Sequence, residues 1–263
     1  MAKRGERKPT GLGSAVHELE VQGNAARYNQ WRVQTIAPYL GEVLLEVGAG
    51  LGDITRLLIR MPQVQKVIAL EPEPACLRAL REQFRGVPAV EVVEGDICDP
   101  DLAQVLAGRG IDTVVCLNVL EHIEDDLTAL RNIHRILEGE GGNVVVFAPA
   151  SPMLYGEHDR LVGHYRRYTF GDLERKLGAT GFRVTDRFYF NSVGWLARLL
   201  QKWSGGGETS RASILFYDRL VVPPLAWLEG RMRPPIGQSL VVVGEAEFVP
   251  KKALKCKTGR LSR

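Results

Sequence analysis

The chain has 263 residues, of which 25% are charged and 45% hydrophobic, an ordinary globular composition. A chain of this length can bury a full core without disulfides or a metal ion. Wholesale disorder, a collagen-like structure and a disulfide scaffold are therefore not expected.

The net charge of +3 is unevenly distributed along the chain. Residues 1–10 contribute +3 and residues 251–263 contribute +6, which leaves −6 for residues 11–250. A body with net negative charge does not favour a broad nucleic-acid-binding face. The two basic ends are expected to be frayed tails, although they could still contact anionic surfaces.

The spacing of the cysteines and the lengths of the apolar runs indicate the compartment in which the protein is expected. No CxxC pair and no zinc-site spacing occurs, so we expect reduced thiols and no metal. No apolar signal core follows the basic N-terminus, and no run of roughly 18 apolar residues is present. These features predict a cytoplasmic protein. The four cysteines are Cys76, Cys98, Cys116 and Cys256.

Short apolar strands alternate with helical patterns up to residue 150. The predicted helices are 16–39, 53–60, 74–84, 102–107 and 125–137, and the predicted strands are 43–47, 66–70, 90–93, 113–117 and 143–148. This alternation predicts an α/β fold with a doubly wound, Rossmann-like parallel sheet. Ligands of such sheets bind beyond the carboxyl ends of the strands.

The sequence changes character after residue 150. A polar and aromatic loop over 151–168 precedes a helix (170–177) and a strand (183–189), and a last strand, 239–245, could be antiparallel. Residues 191–235 are predicted to be a helical insertion, with a flexible break at 205–209 and a kink at Pro223-Pro224. We therefore divide the chain into a basic tail (1–13), one domain (14–250) that includes this insertion, and a second basic tail (251–263).

A glycine-rich turn, Gly48-Ala49-Gly50-Leu51-Gly52, follows the first strand and opens into a helix. Glycine permits positive φ and a close approach of backbone to ligand, and the helix start offers free N–H groups. The spacing G-x-G-x-G departs from the dinucleotide pattern G-x-G-x-x-G. Glu46, two residues earlier, disfavours a pyrophosphate and suits a cationic ligand. The alternative is a tight turn that binds nothing.

Two further acids follow the next strands. Glu71, after the second strand, could accept both hydroxyls of a ribose, or it could be a solvated loop acid. Asp96, after the third strand, could accept from an adenine amino group, or it could be an Asx-turn residue.

These residues carry a resemblance to class I S-adenosylmethionine-dependent methyltransferases, closest to the branch that methylates small molecules. The matching motifs are 46–52, Glu71, Gly95-Asp96-Ile97 and the segment from Leu117 to Ile123. The resemblance implies a seven-stranded, mostly parallel sheet whose last strand is antiparallel between the fifth and sixth. It also implies S-adenosylmethionine as the cofactor.

The resemblance implies a role for each matching residue. The implied contacts are Gly48, Ala49 and Gly50 for the methionine moiety, Glu46 for its ammonium, Tyr28 for its carboxylate, Glu71 for the ribose, Asp96 and Ile97 for the adenine, and the backbone of Asn118 for the sulfonium. Gly52 and Pro72 are also expected to belong to the cofactor site.

The acceptor site is sought in the segments after the fourth and fifth strands. Methyl transfer is an in-line displacement, so a general base helps only where the acceptor is weakly acidic. The candidate bases are His122, His158 and His164, and the candidate acceptor contacts are Tyr155, Tyr165, Arg166, Arg167 and Trp195. The alternative is that these side chains are structural and pack on the sheet.

A sequence signature that is missing after the fourth strand narrows the class of acceptor. The Asn/Asp-Pro-Pro-Tyr signature of enzymes that methylate the amino groups of bases does not follow the fourth strand. Residues 163–169 resemble methyltransferases of bacterial glycan and lipid-linked sugar pathways. We therefore predict O-methylation of a sugar, lipid-linked or natural-product hydroxyl. C- or N-methylation of a natural product and a non-catalytic cofactor-binding adaptor are the alternatives.

The apolar stripes of residues 191–235 have several interpretations. Ordinary core packing, a lid over a lipid-like acceptor, peripheral contact with a membrane and a homodimer contact would all use the same side chains. The chain is therefore predicted to be a monomer or a homodimer.

Overall fold

The structure, a computed structural model, describes residues 25–138, 141–203 and 211–246, without the side chain of residue 211. The predicted tails (1–13 and 251–263), the start of the first predicted helix and the predicted break at 205–209 lie outside the described residues. The division into domain and tails therefore stays a prediction.

A seven-stranded sheet forms the centre of the described protein. Its strands are β1 (Val43–Val47), β2 (Lys66–Glu71), β3 (Val90–Glu94), β4 (Thr113–Leu117), β5 (Gly142–Pro149), β6 (Phe182–Phe190) and β7 (Ser239–Ala246). The spatial order is β3-β2-β1-β4-β5-β7-β6. Strands β1 to β5 pair in parallel, and β7 runs antiparallel between β5 and β6. The predicted fold class and the position of the last strand are confirmed.

Helices cover both faces of the sheet. They are α1 (Ala26–Ile36), α2 (Asp53–Leu58), α3 (Pro74–Gln83), α4 (Leu102–Leu106), α5 (Asp126–Leu137), α6 (Glu157–Leu161), α7 (Phe170–Ala179), α8 (Ser192–Trp203), α9 (Arg211–Phe216) and α10 (Val222–Glu229). The predicted loop over 151–168 differs from expectation because it contains a 3₁₀ turn (Pro152–Leu154) and α6. Among the described residues, no helix is long and apolar enough to cross a bilayer.

The parallel strands are buried on both faces, as their unbroken apolar sequences predict. In β1, Leu44 and Leu45 are both fully buried, and they point into different clusters on opposite faces of the sheet. In β5, Val146 and Phe147 divide in the same way. Packing on both faces fixes the register of the strands, so the residues that follow them end at defined positions.

The helical stretch that contains Pro223-Pro224, where a kink is predicted, includes an irregular turn. A π-helical turn (Tyr217–Val221) joins α9 to α10 immediately before the two prolines. Pro223 has no N–H to donate to the carbonyl of Arg219, one turn earlier. The Arg27 guanidinium donates to that carbonyl at 2.8 Å instead. The helical insertion is thereby attached to α1.

Phe190, at the end of β6, anchors α1 and the insertion to the sheet. Its ring is 1% exposed and lies 4.0 Å from the ring of Trp31, with Tyr28 and Phe147 edge-on to it. We expect Phe190→Ala to lower the free energy of unfolding by about 3–5 kcal/mol, because it leaves a cavity. The exposed control Phe216→Ala should change it by less than about 0.5 kcal/mol. Urea titrations would measure both, and equal losses would contradict this packing.

Candidate active site

A cleft opens beyond the carboxyl ends of β1 and β4, where the strand order reverses direction. This is the switch point at which ligands of doubly wound sheets bind. The cleft is lined by α1, β1, the glycine turn, the start of α2 and the end of β4. The lining residues are Asn29, Arg32, Glu46, Val47, Gly48, Ala49, Gly50, Leu51, Asp53, Ile54, Leu117 and Asn118.

The glycine turn is held tightly against β2. The N–H groups of Gly48 and Ala49 donate to the carbonyl of Leu70 at 2.8 and 3.1 Å. Gly48, Gly50 and Gly52 all have positive φ. A Cβ at Gly48 would lie 2.8 Å from the side chain of Val119. The turn therefore brings bare backbone to the cleft, as the motif predicts.

At Gly52, close packing within the protein requires glycine, whereas access to the cleft does not. A Cβ there would lie 2.7 Å from the ring of Phe84, so the position serves close packing of the turn on the segment after α3. Gly52 also does not line the cleft, whereas Gly48, Ala49 and Gly50 do.

Glu46 is a buried acid on the wall of the cleft, 4% exposed. One of its carboxylate oxygens accepts a 2.6 Å hydrogen bond from the Thr55 hydroxyl. Burial raises the pKa of Glu46 to about 8; the Thr55 hydrogen bond and the Arg32 charge oppose this rise, and the nearby Glu71 carboxylate adds to it. A cation bound in the cleft would stabilise the ionised form.

Glu71 closes the opposite side of the glycine turn. Its two carboxylate oxygens accept the N–H of Gly50 at 2.8 Å and of Glu73 at 2.9 Å. The carboxylate is thus fixed in orientation although it is almost fully buried. The neighbouring Pro72 is exposed.

Asp96 and Ile97 follow β3 in a tight turn. A carboxylate oxygen of Asp96 accepts the N–H of Cys98 at 3.0 Å, which is the Asx-turn alternative. The side chain of Ile97 is 3% exposed and packs in the core, and its carbonyl accepts from the Asn132 amide at 2.8 Å. Ile97 can therefore offer a ligand little of its side chain.

Asn118, directly after β4, connects two segments. Its φ of 56° is unusual for a non-glycine residue, and asparagine tolerates this region best. Its side-chain oxygen accepts from the Arg32 guanidinium at 2.7 Å, and its amide donates to Glu121 at 2.8 Å.

Arg32 is a cleft residue that the sequence reasoning missed. Its guanidinium is buried, lies over the Phe147 ring and donates to Asn29 as well as Asn118. Its Nε has no hydrogen-bond partner in the described structure. Tyr28, the residue chosen from this helix, lies one turn earlier and packs edge-on against Trp31 instead of lining the cleft. The available signal was the helical i, i+4 spacing of Tyr28 and Arg32.

Arg167 belongs to the interior, so its predicted contact with the acceptor is corrected. Its side chain is 2% exposed and forms a 2.8 Å ion pair with Asp159, which is equally buried. It also donates to the carbonyl of Ala150. Burial opposes ionisation of Asp159, but the hydrogen bond from His164 and the charge of Arg167 hold the pKa of Asp159 below its usual range. The pair fixes the loop after β5.

Two of the three candidate histidines meet beside Asn118. The rings of His122 and His164 lie 4.6 Å apart, edge to face. The Nδ1 atom of His164 is 2.9 Å from a carboxylate oxygen of Asp159. His158 is exposed on α6.

The remaining candidates for the acceptor site border this loop. The Tyr155 hydroxyl donates to the carbonyl of His164, and the Trp195 indole donates to the hydroxyl of Ser151. Arg166 pairs with Asp126, whereas Tyr165 is half exposed. These roles in acceptor binding stay predictions.

Residues 45–143 match a family model described as a methyltransferase domain. The match covers β1 to the start of β5, which includes the glycine turn, Glu46, Glu71 and Asn118. It agrees with the resemblance drawn from the motifs.

Curated relatives match over part of their length. An ornithine lipid N-methyltransferase of Singulisphaera acidiphila is 44% identical over 71 residues, which are 27% of this chain and 36% of that protein. The ribosomal RNA small subunit methyltransferase A of Geobacter sulfurreducens is 30% identical over 120 residues, 42% of this chain and 43% of that protein. The chain thus spans less than half the length of these relatives.

Solved structures share the fold over most of the chain. A chain from the complex of the Haloferax volcanii Trm112 methyltransferase activator with its proposed methyltransferase aligns with a TM-score of 0.62 and 15% identity, covering 89% of this chain and 96% of that one. A S-adenosylmethionine-dependent methyltransferase of Archaeoglobus fulgidus aligns with a TM-score of 0.55 and 15% identity, covering 84% and 94%. These likenesses confirm the fold.

The raised pKa of Glu46 predicts a pH-dependent stability. Between the unfolded pKa near 4.5 and the folded value of about 8, the native state binds more protons, so stability falls as pH rises. We expect Glu46→Gln to be progressively more stable than the wild type from pH 5 to pH 8, reaching a few kcal/mol, with no further gain above. Urea unfolding at several pH values would measure this. A difference that stays constant between pH 5 and pH 9 would contradict it.

Proposed function

We propose that this chain, which carries a class I S-adenosylmethionine-dependent methyltransferase domain, transfers a methyl group to a hydroxyl of a lipid-linked small molecule. The observation that carries the first part is that Glu46 and Arg32 both line the cleft. A buried carboxylate with a raised pKa and a buried guanidinium with an unpaired Nε are complementary to an amino-acid zwitterion.

The cofactor fits the residues that are present. Glu46 would take the ammonium and Arg32 the carboxylate of the methionine moiety, against the bare backbone of Gly48 and Gly50. Glu71 would take the ribose hydroxyls, because each carboxylate oxygen can accept a second hydrogen bond beside its backbone N–H. Asp96 and Ile97 would flank the adenine, with Ile97 contributing mainly its backbone.

When bound, the cofactor supplies an electrophilic methyl group. The chain's own contribution is then to hold the acceptor in line, exclude water and remove a proton. Asn118 stands at the end of β4, between the cofactor cleft and the pair of His122 and His164. The acceptor hydroxyl would therefore approach from the side of these histidines, and its proton would leave there.

A lipid-linked acceptor is supported by the surface of the insertion. On α8, three exposed apolar side chains follow one another at helical spacing, and a second set lies on α9, the π-helical turn, α10 and the residues just after α10. We call these side chains the apolar face. They are Leu196, Leu200, Trp203, Phe216, Leu220, Trp227, Leu228 and Met232, each at least 42% exposed.

The charges around the apolar face favour an anionic membrane. Both acids among the described residues of the insertion point inward: Asp218 accepts backbone N–H groups of α1, and Glu229 accepts those at the start of α8. Among the described residues of the insertion, the exposed charged side chains are basic. They are Lys202, Arg219, Arg231 and Arg233, of which Arg233 is paired with Asp186. Apolar side chains beside basic ones are typical of a surface that rests on anionic lipid.

The insertion is also joined to the acceptor side of the site. The Lys202 ammonium donates to the carbonyls of Met153 and Tyr155, and the Trp195 indole donates to Ser151. A lipid held at the apolar face would thus present its headgroup close to the loop after β5. The relative whose name states a lipid substrate, the ornithine lipid N-methyltransferase, supports the same class.

A ribosomal RNA substrate, named for several relatives, is less well supported. Residues 11–250 carry a net charge of −6, and Asn118-Val119-Leu120-Glu121 replaces the Asn/Asp-Pro-Pro-Tyr signature. N- or C-methylation remains the alternative chemistry, since the cofactor cleft is the same for each.

The first test is cofactor binding. Isothermal calorimetry should show micromolar binding of S-adenosylhomocysteine and none of NAD. Glu71→Gln should weaken the former by about 10–100-fold, because one oxygen that the ribose needs becomes an amide. The neighbouring Glu73→Gln is the matched control and should bind as the wild type does. A wild-type chain that binds neither ligand would refute the proposed function and favour an adaptor.

The second test is membrane binding. Co-sedimentation with phosphatidylglycerol vesicles should exceed that with phosphatidylcholine vesicles. The double variant Trp203→Ala, Trp227→Ala should reduce partitioning by about tenfold or more, because two large apolar side chains no longer enter the interface. The exposed pair Val87→Ala, Val105→Ala, outside the insertion, should leave it unchanged. Equal partitioning of all variants, or a dimer that the tryptophan variant dissociates, would overturn the membrane assignment.

A further inference from the structure

Three potential metal ligands meet beside the carboxyl end of β4. Glu121 and His122 lie on a 3₁₀ turn (Leu120–His122), and His164 comes from the loop after α6. One ligand atom of each residue lies within 4.8 Å of the other two. The three are the one such group found within the described residues, and they adjoin Asn118 at the cofactor cleft.

Glu121 is a buried carboxylate that lacks a full set of partners. Its side chain is 0% exposed, and one oxygen accepts from the Asn118 amide at 2.8 Å. The other oxygen, Oε2, has no hydrogen-bond partner among the described residues. A buried, half-paired carboxylate is costly unless a cation or a donor completes it.

His164 is oriented as a ligand. The Asp159 carboxylate, which is paired with Arg167, accepts from Nδ1 at 2.9 Å. The proton on Nδ1 leaves Nε2 with a lone pair directed at Glu121. Such a carboxylate behind a histidine is the usual support of a metal-bound imidazole.

The distance between the His164 imidazole and the Glu121 carboxylate says more about a metal ion than the two residue types do. His164 Nε2 and Glu121 Oε1 are 4.0 Å apart, too far for a hydrogen bond. Two ligands at about 2.1 Å from one zinc ion are separated by roughly 3.4–4.2 Å, depending on the angle between them. The gap therefore suits an ion after a small contraction.

His122 would complete the set. Its ring lies edge-on to that of His164, with 4.6 Å between centroids, and its side chain is exposed. An exposed ligand on a short turn can move toward the ion and leaves one side of it open to an acceptor.

We propose that Glu121, His122 and His164 bind a divalent transition-metal ion of the zinc class. Two histidines, one carboxylate and an open position form a typical catalytic zinc set. Its role rests on the proposed function: the acceptor hydroxyl would take the open position and release its proton to solvent. The resulting alkoxide would form the new O–C bond as the S–C bond of the sulfonium breaks.

The decisive experiment is zinc titration of the chelator-treated full chain, without cofactor or acceptor. Calorimetry should detect one site per chain. Glu121→Gln and His164→Gln should each weaken binding by more than about a hundredfold, and Asp159→Asn by about 10–100-fold. His134→Gln, a histidine remote from the site, is the control for background binding and should match the wild type.

A second measurement does not depend on variants. Cobalt added to the wild-type chain should give the visible absorption of a four- or five-coordinate ion without thiolate charge-transfer bands. No cobalt spectrum, or zinc binding that survives Glu121→Gln and His164→Gln in folded protein, would overturn the proposal. Binding of S-adenosylhomocysteine, measured in parallel, reports separately on the proposed function, because it does not require the ion.

Discussion

The need to satisfy buried polar groups governs the geometry of this site. Arg32, on α1, donates to the side-chain oxygen of Asn118, and the amide of Asn118 donates to Glu121. His164 lies 4.0 Å from Glu121, beyond hydrogen-bond distance, and is held from its other side by Asp159. A missing link would leave a charged or polar group unpaired in the interior, which costs more than the bond itself contributes. The helix before the sheet and the loop after β5 are therefore held in fixed positions around the end of β4.

Asn118 connects the contact with Arg32 to the contact with Glu121. A left-handed residue directly after a strand redirects the chain into the 3₁₀ turn, and the same geometry lets one amide side chain face both Arg32 and Glu121. The strain of that backbone conformation is modest for asparagine. The residue therefore lines the cleft and at the same time connects it to the turn that carries Glu121 and His122.

The sheet and the position of the cleft could be predicted because their signals are local. Apolar strands, the glycine turn and the acids Glu46 and Glu71 lie within short segments, and the parallel sheet brings strand ends together. The remaining parts depend on contacts between distant segments. Nothing in the sequence near Arg167 shows that Asp159 buries it, and no spacing rule joins His164 to Glu121. Arg32 was overlooked because an arginine on an amphipathic helix is usually solvated.

In the described part of the insertion, the acidic side chains point inward and the exposed charged side chains are basic. Asp218 and Glu229 are used inside, where they accept backbone N–H groups that α1 and α8 would otherwise leave unpaired. The outer surface of the insertion carries apolar and basic side chains. An exposed apolar area of this kind is unfavourable in water and is typical of a surface that binds a partner. Because Lys202 and Trp195 bond to the loop after β5, any surface that holds α8 also restrains that loop. Under the proposed function, contact of the insertion with a lipid surface and placement of the acceptor would thus be coupled through α8.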